Sequence, residues 1–205
     1  MTLDLLLAIA AYAFVTTITP GPNNAMLLAS GLTFGFWRTG PHLLGIAVGF
    51  AGMVAAVGFG AGELFERIPH LHDILRVVAT AYLLYLAWKI AHSAPMAGAG
   101  VDSIADQKPF SFLQAAAFQW VNPKAWVMAI GAISTYAMPE AFSLSVIVIA
   151  LSFLIVGSPC IACWAGFGSL MRRLLSNPRR VRQINIAMAA LLVVSALYPL
   201  IATLG

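Results

Sequence analysis

Charge is what this sequence has least of. Charged side chains make up 9% of its 205 residues, with 11 Lys+Arg and 7 Asp+Glu, against roughly 25% in an average soluble domain. A water-soluble globule covers its surface largely with polar groups, and so few charges cannot do that. The shortage excludes a soluble enzyme, a nucleic-acid-binding domain and a disordered chain together. Cysteine is also scarce. Cys160 and Cys163 cannot build a disulfide framework, and they leave the redox compartment open. The sequence has no nucleotide-binding glycine loop, no Ser/His/Asp set and no paired catalytic carboxylates. Gly58, Gly60 and Gly62 alternate inside an apolar run, not at a strand-to-helix turn, so they are no dinucleotide fingerprint. No His or carboxylate lies mid-span to complete a metal site. The expectation is therefore no enzymatic activity, no cofactor, no metal and no ATP use.

What is present is hydrophobicity: 61% of the residues, and a mean hydropathy of +0.91. A spanning helix needs about 20 apolar residues, and lipid tolerates no exposed irregular backbone. The uncharged runs predict an all-α integral membrane protein with six spans, at 3–32, 40–62, 72–92, 110–137, 141–168 and 182–204. Ala11-Tyr12-Ala13 imitates a signal cleavage site, but the only charge before it is Asp4, where a signal needs a basic region. The first run therefore reads as a retained span. Basic residues set the orientation. Arg38, Lys89, Lys108, Arg172, Arg173, Arg179, Arg180 and Arg182 fall on one side, and only Arg67 and Arg76 on the other. That bias places the first set in the cytoplasm and both termini outside it. The cluster from Arg172 to Arg182 also suits anionic lipid, with the same orientation.

One polar stretch, 93–108, is long enough to join two halves. The expected layout is a single transporter domain, 1–205, with a first repeat at 1–92, the linker, and a second repeat at 109–205. Three spans on each side of the linker give the arithmetic of an inverted-topology repeat. Both halves are interrupted at their first span. Span one breaks at Thr19-Pro20-Gly21-Pro22-Asn23-Asn24, and span four at Gln119-Trp120-Val121-Asn122-Pro123-Lys124. Two prolines around a glycine cannot continue a helix, and Gly21 offers backbone angles that other residues resist. Asn residues suit the cap of the half-helix that follows. Carbonyls released by the break must find partners inside the protein. A lone proline would read as a mere kink. Matched breaks in two halves are instead the sequence signature of a transporter's binding site.

These residues resemble a family. The Thr19-Pro20-Gly21-Pro22-Asn23-Asn24 motif, Asn122-Pro123-Lys124-Ala125, Ala81-Tyr82-Leu83-Leu84-Tyr85-Leu86-Ala87-Trp88-Lys89 and Lys108-Pro109-Phe110-Ser111-Phe112 look like the lysine exporter (LysE/RhtB) family of bacterial amino-acid exporters. Pro22-Asn23-Asn24, Ala132-Ile133-Ser134-Thr135 and Cys163-Trp164-Ala165 look most like its cysteine/O-acetylserine branch. The resemblance implies an inner-membrane exporter of small amino acids or derivatives that works by proton exchange. Its partners would be an amino-acid substrate and membrane lipid, with no nucleic acid; a homodimer is an open option.

Lys124 is the most informative charge, because no Asp or Glu lies mid-span to pair with it. Two readings stay open. Lys124 and the N-terminus after Pro123 form a carboxylate site, or Lys124 binds the released carbonyls of span one and ties the repeats together. Thr19, Asn23 and Asn24 offer acceptors to a substrate ammonium, and Gln119 and Asn122 suit either pole. Lys124 and His42 are candidates for a titrating group, His42 more plainly an interface residue. Other features read as structure. Gly45, Gly49 and Gly52, and Gly58 with Gly62, suit close helix packing. Tyr82, Tyr85 and Lys89 share one helix face, as an interfacial belt does. Ser158-Pro159 is expected to break span five, and Pro199 to bend span six. Cys160 and Cys163 read as packing residues; the rival reading is a membrane thiol-disulfide carrier.

Overall fold

The computed structural model describes residues 1–61, 77, 80–81, 83–85, 87–88, 90–92, 108–174 and 178–201. All regular structure among them is helical. The helices are α1 (Leu3–Ile18), α2 (Pro22–Phe34), α3 (Gly40–Ala56), α4 (Phe112–Phe118), α5 (Pro123–Tyr136), α6 (Phe142–Leu174) and α7 (Pro178–Ile201). Their starts are written in the sequence. Thr2 caps α1 by accepting from the Leu5 N–H, and Ser111 forms a capping box with Gln114 at α4. Pro22, Pro123 and Pro178 each open a helix, where the missing N–H costs nothing.

Among the described residues, Trp37–Gly60 (24 residues) and Pro139–Arg172 (34 residues) are helical stretches long and apolar enough to cross a membrane. α1 and α2 pass the same test together, as one span bent by 58°. The outer surface fits lipid: Trp37, Leu113, Val127 and Ile155 are exposed, while Asn24, Gln119 and Asn122 are buried. At about 1.5 Å per residue the 33 residues of α6 extend some 50 Å. That exceeds a hydrocarbon core of about 30 Å and carries Arg172 beyond it.

Both predicted breaks are present. Span one ends as helix at Ile18 and restarts at Pro22. The stretch expected as span four runs from α4 through a 3-10 turn, Gln119–Val121, and restarts at Pro123. Span five is different: α6 is continuous through Pro159, so the expected break there is absent. A lone proline removes one N–H, and neighbouring turns absorb the loss. Ser158 and Cys160 donate to the carbonyls of Leu154 and Val156, on either side of the Ile155 carbonyl that Pro159 cannot pair.

Small residues bring the helices together. A Cβ on Gly45 would sit 2.8 Å from Ala115 Cβ, and one on Gly49 2.8 Å from Ala116 Cβ. The Gly45/Gly49 pair is therefore the surface on which α3 meets α4. Gly52 faces open space and Gly58 faces Val146. Gly31 and Gly168 seat α2 against α6, each glycine facing the other helix's backbone. Around these contacts one core joins α1, α3, α5 and α6 through Ile9, Met53, Ala129 and Ile149. A second joins α2 to α7 through Met26 and Leu192. Gly62, Tyr82, Lys89 and the linker at 93–107 lie outside the described residues, and so does the side chain of Pro199.

Candidate functional site

The chain leaves α1 with its last carbonyls unpaired, and the end of a helix must satisfy them. Each one from Thr16 to Pro20 has a donor. Thr19 Oγ1 donates to the Thr16 carbonyl at 2.9 Å. Asn24 Nδ2 donates to Thr17 O at 2.8 Å and Thr19 O at 2.7 Å. The Trp164 indole N–H donates to Ile18 O at 3.1 Å. Lys124 Nζ donates to Thr19 O and Thr19 Oγ1 at 2.8 Å and to Pro20 O at 3.2 Å. The ammonium has three protons and meets three acceptors. The contact expected between Lys124 and the carbonyls of span one is thus present.

The second break closes on itself. Asn122 N–H donates to Gln119 O at 3.2 Å, and Asn122 Oδ1 caps α5 by accepting from the Lys124 N–H at 3.1 Å. Trp126 Nε1 reaches back to Trp120 O at 2.9 Å. The two breaks also touch each other. Asn23 Nδ2 donates to Gln119 Oε1 at 2.8 Å, and Gln119 Nε2 returns a bond to Asn23 Oδ1 at 3.2 Å.

A cavity of about 40 Å³ lies between the breaks. Its lining includes the polar or small Gly21, Asn23, Asn24, Asn122 and Lys124 and the apolar Phe50, Met128, Phe153 and Ile161. Gly21 and Asn122 are the N-caps of α2 and α5, so the positive dipole ends of two helices lie here, that of α2 without a side-chain cap. With Lys124 beside them and no carboxylate in the lining, the space favours an anionic group.

The other expected site residues support these from behind. Thr19 and Pro20 hold the Lys124 ammonium. Gln119 is wholly buried and holds Asn23. Pro22 and Pro123 start the half-helices. Gly21 needs its missing side chain for a different reason than expected. Its φ of 179° and ψ of 179° are extended backbone open to any residue. A Cβ there would lie 2.7 Å from Lys124 Cδ, so the glycine makes room for the lysine.

His42 is 1% exposed and stacks on Phe110 with ring centroids 5.2 Å apart. It is therefore covered by protein, packed against Phe110. Cys160 is buried and Cys163 exposed, and neither lines the cavity. Sequence reasoning missed Trp164 as the donor to Ile18, and it missed the apolar wall from α3 and α6. An indole inside an apolar run carries no signal of which distant carbonyl it will meet.

Residues 14–203 match the LysE type translocator family. The chain is 36% identical over 200 residues to the cysteine/O-acetylserine efflux protein of Escherichia coli O157:H7, covering 96% of this chain and 97% of that one. The proteins of that name in Escherichia coli strain K12 and Shigella sonnei are 35% identical over the same shares. No solved structure matches the chain.

Proposed function

The chain belongs to the LysE type translocator family, which makes it a membrane transporter of amino acids and not an enzyme, and from that premise we propose that it exports a small neutral amino acid by exchange with protons. Cysteine and O-acetylserine are the favoured cargo, following the relatives' names. The observation that carries the site is the seat of Lys124 on the carbonyls of the broken turn, at the edge of a cavity without carboxylates.

The chemistry is an exchange of partners. A zwitterion brings a carboxylate and an ammonium together. Its carboxylate takes the Lys124 ammonium, beside the capped N-terminus of α5, whose dipole adds to the charge. Its own ammonium takes the acceptors that Lys124 gives up, Thr19 O and Pro20 O. Asn23 and Asn24 frame the ligand from α2. No bare charge is left in the apolar interior at any stage, which is the condition a membrane imposes. Energy comes from an ion or substrate gradient, and Lys124 and His42 are the candidate titrating groups.

In this reading the chain is one domain of six spans in a 3+3 inverted repeat, 1–92 and 109–205, in the inner membrane with both termini outside the cytoplasm. The basic bias and the matched breaks support it. Cysteines introduced at Ser103 and Ser176 would then need a membrane-permeant reagent; fast labelling by an impermeant one from outside reverses the orientation. The cargo is tested by thermal stabilisation of the purified protein across cysteine, O-acetylserine, threonine, homoserine, leucine, lysine and arginine. Ligands that prefer the folded state raise its stability. Stabilisation by cysteine or O-acetylserine is expected. Stabilisation by lysine and arginine alone would overturn the neutral-substrate proposal.

A further inference from the structure

Among the described residues, one fully buried side-chain polar atom of the cavity lining has no partner. A threonine in a helix ordinarily donates its hydroxyl to the carbonyl four residues back. Thr16 does so, to Tyr12 O at 2.6 Å. Thr17, the next residue, does not. Its hydroxyl oxygen is buried without a hydrogen-bond partner among the described residues, and Thr17 lines the cavity. A buried hydroxyl left unpaired costs stability, so its retention asks for a partner that comes and goes. The opposing helix accommodates it by lacking a side chain. A Cβ on Gly157 would lie 3.3 Å from Thr17 Oγ1 and 3.5 Å from Thr17 Cγ2.

The hydroxyl is also fixed relative to the charged end of the cavity. The Asn24 amide that binds Thr17 O binds Thr19 O as well, and Thr19 O carries Lys124. One side chain thus spans from the lysine's seat to Thr17. The lining also includes the apolar Phe50, Met128, Phe153 and Ile161, and its other helix-α1 hydroxyl, on Thr16, is already donated to Tyr12 O.

We propose that Thr17 is a specificity-determining residue whose hydroxyl bonds the heteroatom on Cβ of an α-amino acid, the oxygen or sulfur shared by serine, cysteine and O-acetylserine. This rests on the amino-acid site proposed above. With the carboxylate on Lys124, the ligand's side chain runs along α1 to the hydroxyl.

The test uses matched ligand pairs on the purified full chain: serine against alanine, and cysteine under reducing conditions against 2-aminobutyrate. Affinities come from thermal stabilisation at graded ligand concentration. The wild type binds the heteroatom member about 2- to 10-fold tighter, the range of one hydrogen bond. Thr17→Val, close in shape, binds both members of each pair alike, and its ligand-free Tm equals or exceeds the wild type's because an unpaired hydroxyl is gone. Thr17→Ser keeps the preference. The inference is overturned if Thr17→Val retains the preference. It is equally overturned if Thr17→Val fails to fold or weakens both members equally, since that marks a structural hydroxyl. If the wild type binds amino acids without discriminating within pairs, this inference alone fails. If it binds no amino acid, the site itself fails and takes this inference with it.

Discussion

The break between α1 and α2 is closed in part by distant side chains, while the break between α4 and α5 closes itself. At the first, Lys124 arrives from 105 residues away and Trp164 from 146. At the second, Asn122 caps its own helix and Trp126 reaches back six residues. Both begin a half-helix with proline, and both open on one cavity. The difference lies in what their residues can offer. Asn122 carries an oxygen that satisfies the N–H groups at its own helix start. The first break ends α1 with carbonyls that the turn's own backbone does not pair, so it must borrow donors. A turn held by borrowed donors can exchange them for a ligand; a self-capped turn provides a fixed frame. In the proposed mechanism, that asymmetry gives the exchanging contacts to the first break and the fixed ones to the second.

The largest expected effect follows from crowding the borrowed donor. Gly21→Leu places a branched side chain where Lys124 lies, 2.7 Å from Cδ at its first carbon alone. Export is expected to be lost while the protein stays in the membrane, as uptake-free efflux assays and membrane quantification would show. Full export by a well-expressed variant would reduce the first break to a kink.

Next comes a direct contest between the breaks. Asn24→Ala removes the donor to Thr17 O, while Thr19 O keeps Lys124, at a cost of about 1–3 kcal/mol for the carbonyl left unsatisfied. Asn122→Ala removes one local cap, at about 1 kcal/mol. Denaturant or thermal unfolding of the two variants should rank them in that order. The reverse order would mean the second break is the weaker one.

The smallest effect belongs to Trp164→Phe. The ring remains but the N–H to Ile18 O is lost, a change of about 1 kcal/mol. The melting temperature should fall slightly while substrate affinity holds. A large loss of affinity would add Trp164 to the site.

Much of this was legible in the sequence, and for physical reasons. Proline beside glycine or asparagine stops a helix wherever it stands, so both breaks could be placed from residue types. A lone charge in an apolar run demands acceptors, so the meeting of Lys124 with the carbonyls of span one could be anticipated. Gly45 and Gly49 recur at helical spacing and do pack closely on α4. Pairings across space were not legible. The Asn23–Gln119 amide pair depends on the two breaks facing each other, which no local pattern states. Pro159 misled because a proline without a breaking neighbour is absorbed by a long helix. Gly21 was rightly singled out for the wrong property, since space for Lys124 rather than backbone freedom requires it.

The account stands on Lys124 exchanging the first break's carbonyls for a substrate carboxylate. Ligand affinity and ligand-free stability, measured on the same purified Lys124→Met variant, test it most directly. A charge-assisted hydrogen bond contributes about 1.5–3 kcal/mol, so affinity for a zwitterionic substrate should fall about 10- to 150-fold at 1.4 kcal/mol per decade. The accompanying loss of stability should be smaller, and Lys124→Arg should restore affinity only in part, because a planar fork does not reproduce a compact ammonium. Near-normal affinity in a variant that has lost much of its stability would contradict the account and make Lys124 a strut between the two halves.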